Sequence, residues 1–177
     1  MVSRFLIWAA LVFYSICFIP QIIRNKEYRT TSGLSDFYLL ISLFGYVCFL
    51  AYVFSSELPL PYKIMAPIEF VVLMVMLFQR IYYDGQLIGK KVFFVLSCFI
   101  MFSSVAFVFS SSGSLIGGIF GWMSFSFFSV NQMPQVMKIY REKSVRGFSF
   151  IFVTMSAMAL ALEFSVGVVE GLPMPTI

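Results

Sequence analysis

Residues 20–35, PQIIRNKEYRTTSGLS, and residues 134–149, PQVMKIYREKSVRGFS, decide how this chain is built. They superpose at an offset of 114 residues, Pro20 on Pro134, and the register extends without a gap in both directions. Trp8 falls on Trp122, Phe13 on Phe127, Ser15 on Ser129, Gly33 on Gly147, Ser35 on Ser149 and Ser42 on Ser156. Further on, Leu58, Pro59 and Pro61 fall on Leu172, Pro173 and Pro175. The matches sit on turn and kink residues, which shared hydrophobicity does not produce, so they mark an internal duplication.

The composition says where the duplicated unit lives. With 60% hydrophobic residues, 11% charged residues and no histidine in 177 residues, the chain lies outside the range of soluble domains. About 20 apolar residues cross a bilayer core. Six stretches qualify as spans: Phe5 to Ile23, Phe37 to Phe54, Ile64 to Tyr83, Val92 to Phe109, Leu115 to Met137 and Phe148 to Val168. The connections are short, which excludes a separate soluble domain. The first span has only Arg4 before it and no small-residue cleavage site, and it carries Pro20-Gln21, so it reads as a retained helix.

The net charge of +4 invites a nucleic-acid reading, but the placement of the cations decides against it. Ten of the twelve lie at or beyond the ends of spans one, three and five: Arg24, Lys26 and Arg29; Arg80, Lys90 and Lys91; Lys138, Arg141, Lys143 and Arg146. Arg4 and Lys63 alone fall on the other side. By the positive-inside rule the amino terminus faces outward or into a lumen and both Pro-Gln corners face the cytoplasm. The host membrane is a plasma (inner) membrane or an organelle membrane.

Each Pro-Gln ends an apolar run. Proline has no backbone N–H, so Pro20 frees the carbonyl of Ile16 and Pro134 frees that of Val130. Two bends at equivalent positions suggest a pair of hinges, Pro20-Gln21 and Pro134-Gln135, with the two glutamines assigned to satisfying the freed carbonyls. Ser35 and Ser149 are suited to cap the helices that follow, and Asp36 to favour a helix start. Gly113, Gly117 and Gly121 recur at four-residue spacing and form a face for close helix packing.

An apolar helix ending in Pro-Gln, a basic linker, and then Ser144, Gly147 and Ser149 (Thr30, Gly33 and Ser35 in the first copy) resembles the PQ-loop family. That family includes the SWEET and SemiSWEET sugar transporters, cystinosin and the lysosomal cationic amino-acid exporters. The resemblance implies an all-α integral membrane fold: two parallel three-helix-bundle repeats, related by an axis along the membrane normal and joined by a linker helix. Residues 1–83 form repeat 1, 84–112 the linker helix (span four) and 113–177 repeat 2. The inserted odd helix lets the second copy enter in the orientation of the first. Six spans are present, and the second Leu-Pro-x-Pro segment stops where a seventh would begin, which favours a truncated second repeat.

The implied activity is passage of a small polar solute by alternating access, with the repeats rocking around a central site. Two carboxylates lie well inside spans, Glu69 and Glu163, at similar depth on different repeats; such residues face a cavity or a partner. They are candidates for solute binding and for proton coupling. The sugar carriers of the family tend to place a Trp three residues before a Tyr in the second helix of each repeat. Here Tyr52 matches the Tyr, Phe49 stands for the Trp, Glu163 is the repeat equivalent of Phe49, and Pro67 and Glu69 occupy the neighbourhood of an expected asparagine. These departures favour an amino acid over a sugar. Asn131, whose repeat partner is Cys17, is a binding candidate together with Tyr46 and Phe49. Trp8 and Trp122 could stack on a solute, though Trp8 suits an interfacial anchor.

A sugar transporter of SWEET type and a non-transporting receptor or chaperone of the same fold are the alternatives. A receptor for a peptide carboxylate, such as the KDEL-signal receptor, needs interior cations, and the cations here sit at loops and span ends. Cys17, Cys48 and Cys98 fall inside spans, which argues for packing and against a disulfide or metal site. No cofactor is expected. No nucleophile with an adjacent base is present, which disfavours an enzyme. The partners expected are the solute, the lipid bilayer and protons, with a homodimer compatible.

Overall fold

The computed structural model describes residues 2–56, 58–84, 114–145, 147 and 149–170, and over these the chain is helical. The elements are α1 (Val2–Cys17), α2 (Ile19–Tyr28), α3 (Asp36–Ser55), α4 (Leu60–Asp84), α5 (Ser114–Val130), α6 (Gln132–Glu142) and α7 (Phe150–Glu170). Span four (92–109), most of the linker assignment 84–112, Gly113 and the Leu172 to Pro175 segment lie outside the described residues. Among the described residues three helices are long and apolar enough to cross a membrane: Phe5–Tyr28, Asp36–Ser55 and Leu60–Asp84.

The first of these is the continuous run of α1 and α2, interrupted at Phe18. Pro20 removes one donor from the ladder, and the helix restarts when the backbone N–H groups of Gln21 and Ile22 both donate to Phe18 O, at 3.1 and 3.0 Å. In the second copy the interruption falls at Asn131, between α5 and α6. Each repeat therefore has a helix interruption two to three residues before its proline. The short helices also end alike: Arg29 (φ 50) and Lys143 (φ 48) are left-handed C-caps at repeat-equivalent positions.

Ser35 and Ser149 then open α3 and α7 with side-chain caps, their Oγ atoms accepting from Tyr38 N and Phe152 N at 3.4 Å. The fourth helix begins at Leu60, four residues earlier than the third span read from hydropathy, because Pro61 suits a first turn whose N–H groups have no helical partner. It continues through Pro67.

Packing repeats the sequence symmetry. The two largest helix interfaces pair α3 with α5 and α1 with α7, so the first helix of each repeat lies on the second helix of the other. Within repeat 1, α4 packs on both α3 and α1 and stands between them. Its buried face, Tyr62, Met65, Ala66, Leu73, Met76 and Leu77, joins the core formed with Leu39, Leu43 and Val53 of α3. Glycine allows the tightest approaches. A Cβ on Gly117 of α5 would lie 2.5 Å from Ser55 Oγ of α3, and one on Gly45 would lie 2.7 Å from the Phe128 ring. The packing role read for Gly117 holds; Gly121 is buried as well.

A polar cluster fixes α4 against the start of α3. Arg80 Nε donates to Asp36 Oδ1 at 2.7 Å, and the same guanidinium bonds Asp84 Oδ2 and Thr31 Oγ1. Asp36 is therefore an ion-pair partner as well as a first-turn acid, and Thr31 and Asp84 bond each other. This cluster places the C-terminus of α4 at the Pro-Gln end. The contact of Gly117 with Ser55 places the start of α5 at the opposite end.

Candidate functional site

The two Pro-Gln corners meet, and each glutamine reaches across to the other repeat. Gln21 Nε2 donates to Gly147 O at 2.9 Å while its Oε1 accepts from Ser149 N at 2.7 Å. Gln135 Nε2 donates to Gly33 O at 2.9 Å while its Oε1 accepts from Ser35 N at 2.7 Å. Donors, acceptors and spacing are the same in both directions, and both glutamines are buried. The sequence reading assigned these amides to carbonyls freed by the kink; instead they satisfy loop groups of the opposite repeat. Each amide presents one acceptor and one N–H two residues apart along the facing backbone, which matches the Gly-x-Ser spacing.

Between the two glutamines the backbones of Gly33 and Gly147 touch. A Cβ on Gly33 would lie 2.5 Å from the Gly147 carbonyl carbon, where a neighbouring backbone atom cannot give way. Gly147 also has φ +85, a conformation that side chains disfavour. Lys138 of α6 reinforces the seam: its Nζ donates to Leu34 O at 2.8 Å and to Ser32 O.

Repeat 1 carries an extra buried chain. Gln21 Nε2 donates to Asn25 Oδ1 (2.8 Å), Asn25 Nδ2 to Gln79 Oε1 (2.9 Å), and Gln79 Nε2 to Ile22 O (3.1 Å). This ties the first glutamine to α4. The repeat equivalent of Asn25 is Ile139, so the chain has no counterpart on α6.

Behind the seam the repeats touch through small polar groups. Asn131 Nδ2 donates to Ser42 Oγ at 3.2 Å. The equivalent pair in the other half is Cys17 beside Ser156. Tyr38 hydrogen-bonds with Ser42 and Gln132; the equivalents of Tyr38 and Gln132 are Phe152 and Phe18, whose rings lie 5.2 Å apart. Deeper in α3, Tyr46 and Phe49 meet the ring of Phe128 edge-on at 5.0 and 6.1 Å.

Glu69 lies nine residues into α4, about 14 Å along its axis. That is deeper than the span boundaries implied, because the helix starts at Leu60. It is 3% exposed and lies within electrostatic reach of Tyr46 and Cys17. Glu163 is on α7, and its side chain is outside what the structure describes. The structure thus buries Tyr46 and Phe49 on α3 and Glu69 on α4, with Asn131 half-buried at the junction of α5 and α6. Trp8 and Trp122 are half exposed on outer faces and take no part.

The PQ loop repeat family model matches residues 2–62 and 116–175. The chain belongs to the PQ-loop family. Both matched regions contain one complete corner, so the two-copy arrangement of this PQ-loop protein is the one the sequence offset marks. A curated relative, an uncharacterized protein of Schizosaccharomyces pombe, is 22% identical over 162 residues, 86% of this chain. The chain spans 57% of that relative's length.

Proposed function

We propose that this PQ-loop protein is a membrane transporter that passes a small polar solute, an amino acid before a sugar, by alternating access. The observation that carries this reading is the reciprocal bonding of Gln21 and Gln135. Four equivalent hydrogen bonds, two more from Lys138 and one backbone contact join the repeats at the Pro-Gln end, and the helix interruptions at Phe18 and Asn131 lie immediately behind them. A closure made of a few equivalent bonds at the junction of two rigid repeats is the type of element that opens as a unit. Polar side chains collected on its inner side suit a solute that enters hydrated.

Under this reading the Pro-Gln end faces the cytoplasm, following the positive-inside rule. The interior carboxylate at Glu69, with Glu163 on the facing repeat, favours a solute that carries an amino group and leaves room for proton coupling. Interior acid is a poor match for a receptor that captures a peptide carboxylate.

Uptake into proteoliposomes tests the proposal, with labelled leucine, glutamine, lysine and glucose offered at pH 5 and pH 7.5. Saturable uptake of an amino acid is expected, faster with a proton gradient and insensitive to that gradient when Glu69 and Glu163 are both replaced by Gln. Uptake of glucose alone would reverse the substrate assignment, and unchanged pH dependence in the double variant would remove the carboxylates from coupling.

A further inference from the structure

The two repeats are alike in backbone and unlike in the side chains that meet behind the seam. On α3 a hydroxyl stands at each inward step: Ser35, Tyr38, Ser42, Tyr46. At the equivalent steps of α7 the residues are Ser149, Phe152, Ser156 and Leu160, so the series is interrupted twice. The partners across the interface diverge in the same sense. Tyr38 and Ser42 meet the amides of Gln132 and Asn131, whereas Phe152 and Ser156 meet Phe18 and Cys17.

Beyond the matched pairs at the closure itself, the two polar contacts of Tyr38 and Ser42 are therefore answered on the α7 side by less polar ones at repeat-equivalent positions. The backbone does not require the amides, since Phe18 and Cys17 fill the same positions at an equivalent kink. Tyr38 is buried, and a buried hydroxyl costs desolvation where the plain ring of Phe152 serves on the other side, so its place beside half-buried Asn131 and exposed Gln132 calls for a use. The steps along α3 are three to four residues apart, which places them on one face of the helix, leading from Tyr46, near Glu69, toward Gln135 and Ser35 at the closure.

We propose that Tyr38, Ser42, Asn131 and Gln132 read the hydrogen-bonding groups of the solute, and that Cys17, Phe18, Phe152 and Ser156 form a weakly polar wall opposite them. The inference rests on the transporter reading and adds to it the part of the molecule that selects. A solute with an amino group and a polar side chain turns its donors and acceptors toward α3 and its hydrocarbon toward α7. The preferred class is then a polar amino acid such as glutamine over an aliphatic one such as leucine.

The test exchanges the two sides in place. Asn131→Cys with Gln132→Phe gives α6 the side chains that α1 and its junction already carry, and Tyr38→Phe alone removes one oxygen and leaves a ring. The proteoliposome uptake ratio of glutamine to leucine is read for each. The paired variant is expected to lower the ratio about tenfold, a little more than one lost hydrogen bond, and Tyr38→Phe to lower it by a smaller factor. The reciprocal change, Phe18→Gln with Phe152→Tyr, builds a second polar pair and is expected to retain glutamine uptake. Ratios within twofold of wild type for both the paired variant and Tyr38→Phe would overturn the assignment. A wild type that moves none of the four solutes would overturn the transport reading, and the inference with it.

Discussion

Replacing Gln135 by Met keeps the length of the side chain and removes both polar groups, which leaves Ser35 N–H and Gly33 C=O without their partner in a buried seam. A buried group left unsatisfied costs about 1–3 kcal/mol. Two such groups, part of whose loss is recovered by water entering the opened corner, give about 2–4 kcal/mol. For a chain of this size 1 kcal/mol corresponds to about 2–4 °C in Tm, so the variant is expected to melt roughly 5–15 °C lower. Gln21→Met strands the equivalent pair, Gly147 O and Ser149 N–H, and also takes a donor from Asn25. It should cost about 1 kcal/mol more than Gln135→Met, the typical net value of one hydrogen bond. The two corners share the contact of Gly33 with Gly147, so the double variant should cost less than the sum of the singles, as coupled neighbours do. Thermal unfolding of the purified protein in detergent, followed by circular dichroism, reads all three. A Tm within 1 °C of wild type for Gln135→Met, or a milder effect for Gln21→Met, would refute the reciprocal closure.

Three further outcomes follow from the same contacts. Gly33→Ala should destabilise by about 1–3 kcal/mol, as overpacking against backbone does, whereas Gly118→Ala, with nothing within 4 Å of the added carbon, should be neutral or stabilising in the same melt. Arg80→Met leaves Asp36 and Asp84 facing each other across Thr31 and should cost on the order of 2–3 kcal/mol, toward the low side for a broken buried pair because Asp36 stays a quarter exposed. Asn25→Ile copies the repeat-2 residue into repeat 1; it should loosen α2 from α4, seen as faster hydrogen exchange at Ile22 to Tyr28, while exchange in α6 is unchanged.

Much of the fold was legible because the duplicated residues have backbone jobs. A proline that interrupts a helix, a serine that caps one and a glycine that admits a close approach act locally, and local roles leave fixed spacings. The cross-repeat function of Gln21 and Gln135 was not legible. Its partners lie more than a hundred residues away in the chain, and the local alternative, an amide filling the gap at a kink, uses the same atoms. A signal was present nonetheless: the glutamine, glycine and serine are invariant between the copies, whereas Cys17 and Asn131, beside the kink, differ. Kink repair would constrain the residues near the break more than a glycine twelve positions on.

Asp36 was misjudged in part for the same reason. Its helix-start position is visible in sequence, but the pairing with Arg80 depends on α4 folding back along α3 to bring the two ends together. The depth of Glu69 shifted because hydropathy marks where apolar residues begin, and α4 starts earlier, through Pro61. Asn131 was singled out by comparing the copies, Phe49 by its place in the family pattern and Tyr46 as a ring that could stack on a solute; the structure puts Tyr46 and Phe49 among the buried residues of α3 and leaves Asn131 half-buried. Tyr38 drew no attention in the sequence because it reads as an ordinary helix residue until the facing pair of Phe18 and Phe152 shows what the equivalent position holds.

The most direct test of the account links the closure covalently and asks whether passage stops. With Cys17, Cys48 and Cys98 replaced by Ala, Ser32→Cys and Lys138→Cys place one thiol on each side of the seam where Lys138 meets the loop. A short cleavable bis-maleimide joins them in proteoliposomes, and uptake of labelled glutamine and leucine is measured before linking, after linking and after cleavage of the spacer. The account predicts uptake that is lost on linking and recovered on cleavage, because solute cannot pass while the Pro-Gln end is held shut. Uptake at the unlinked rate through fully linked protein would contradict it.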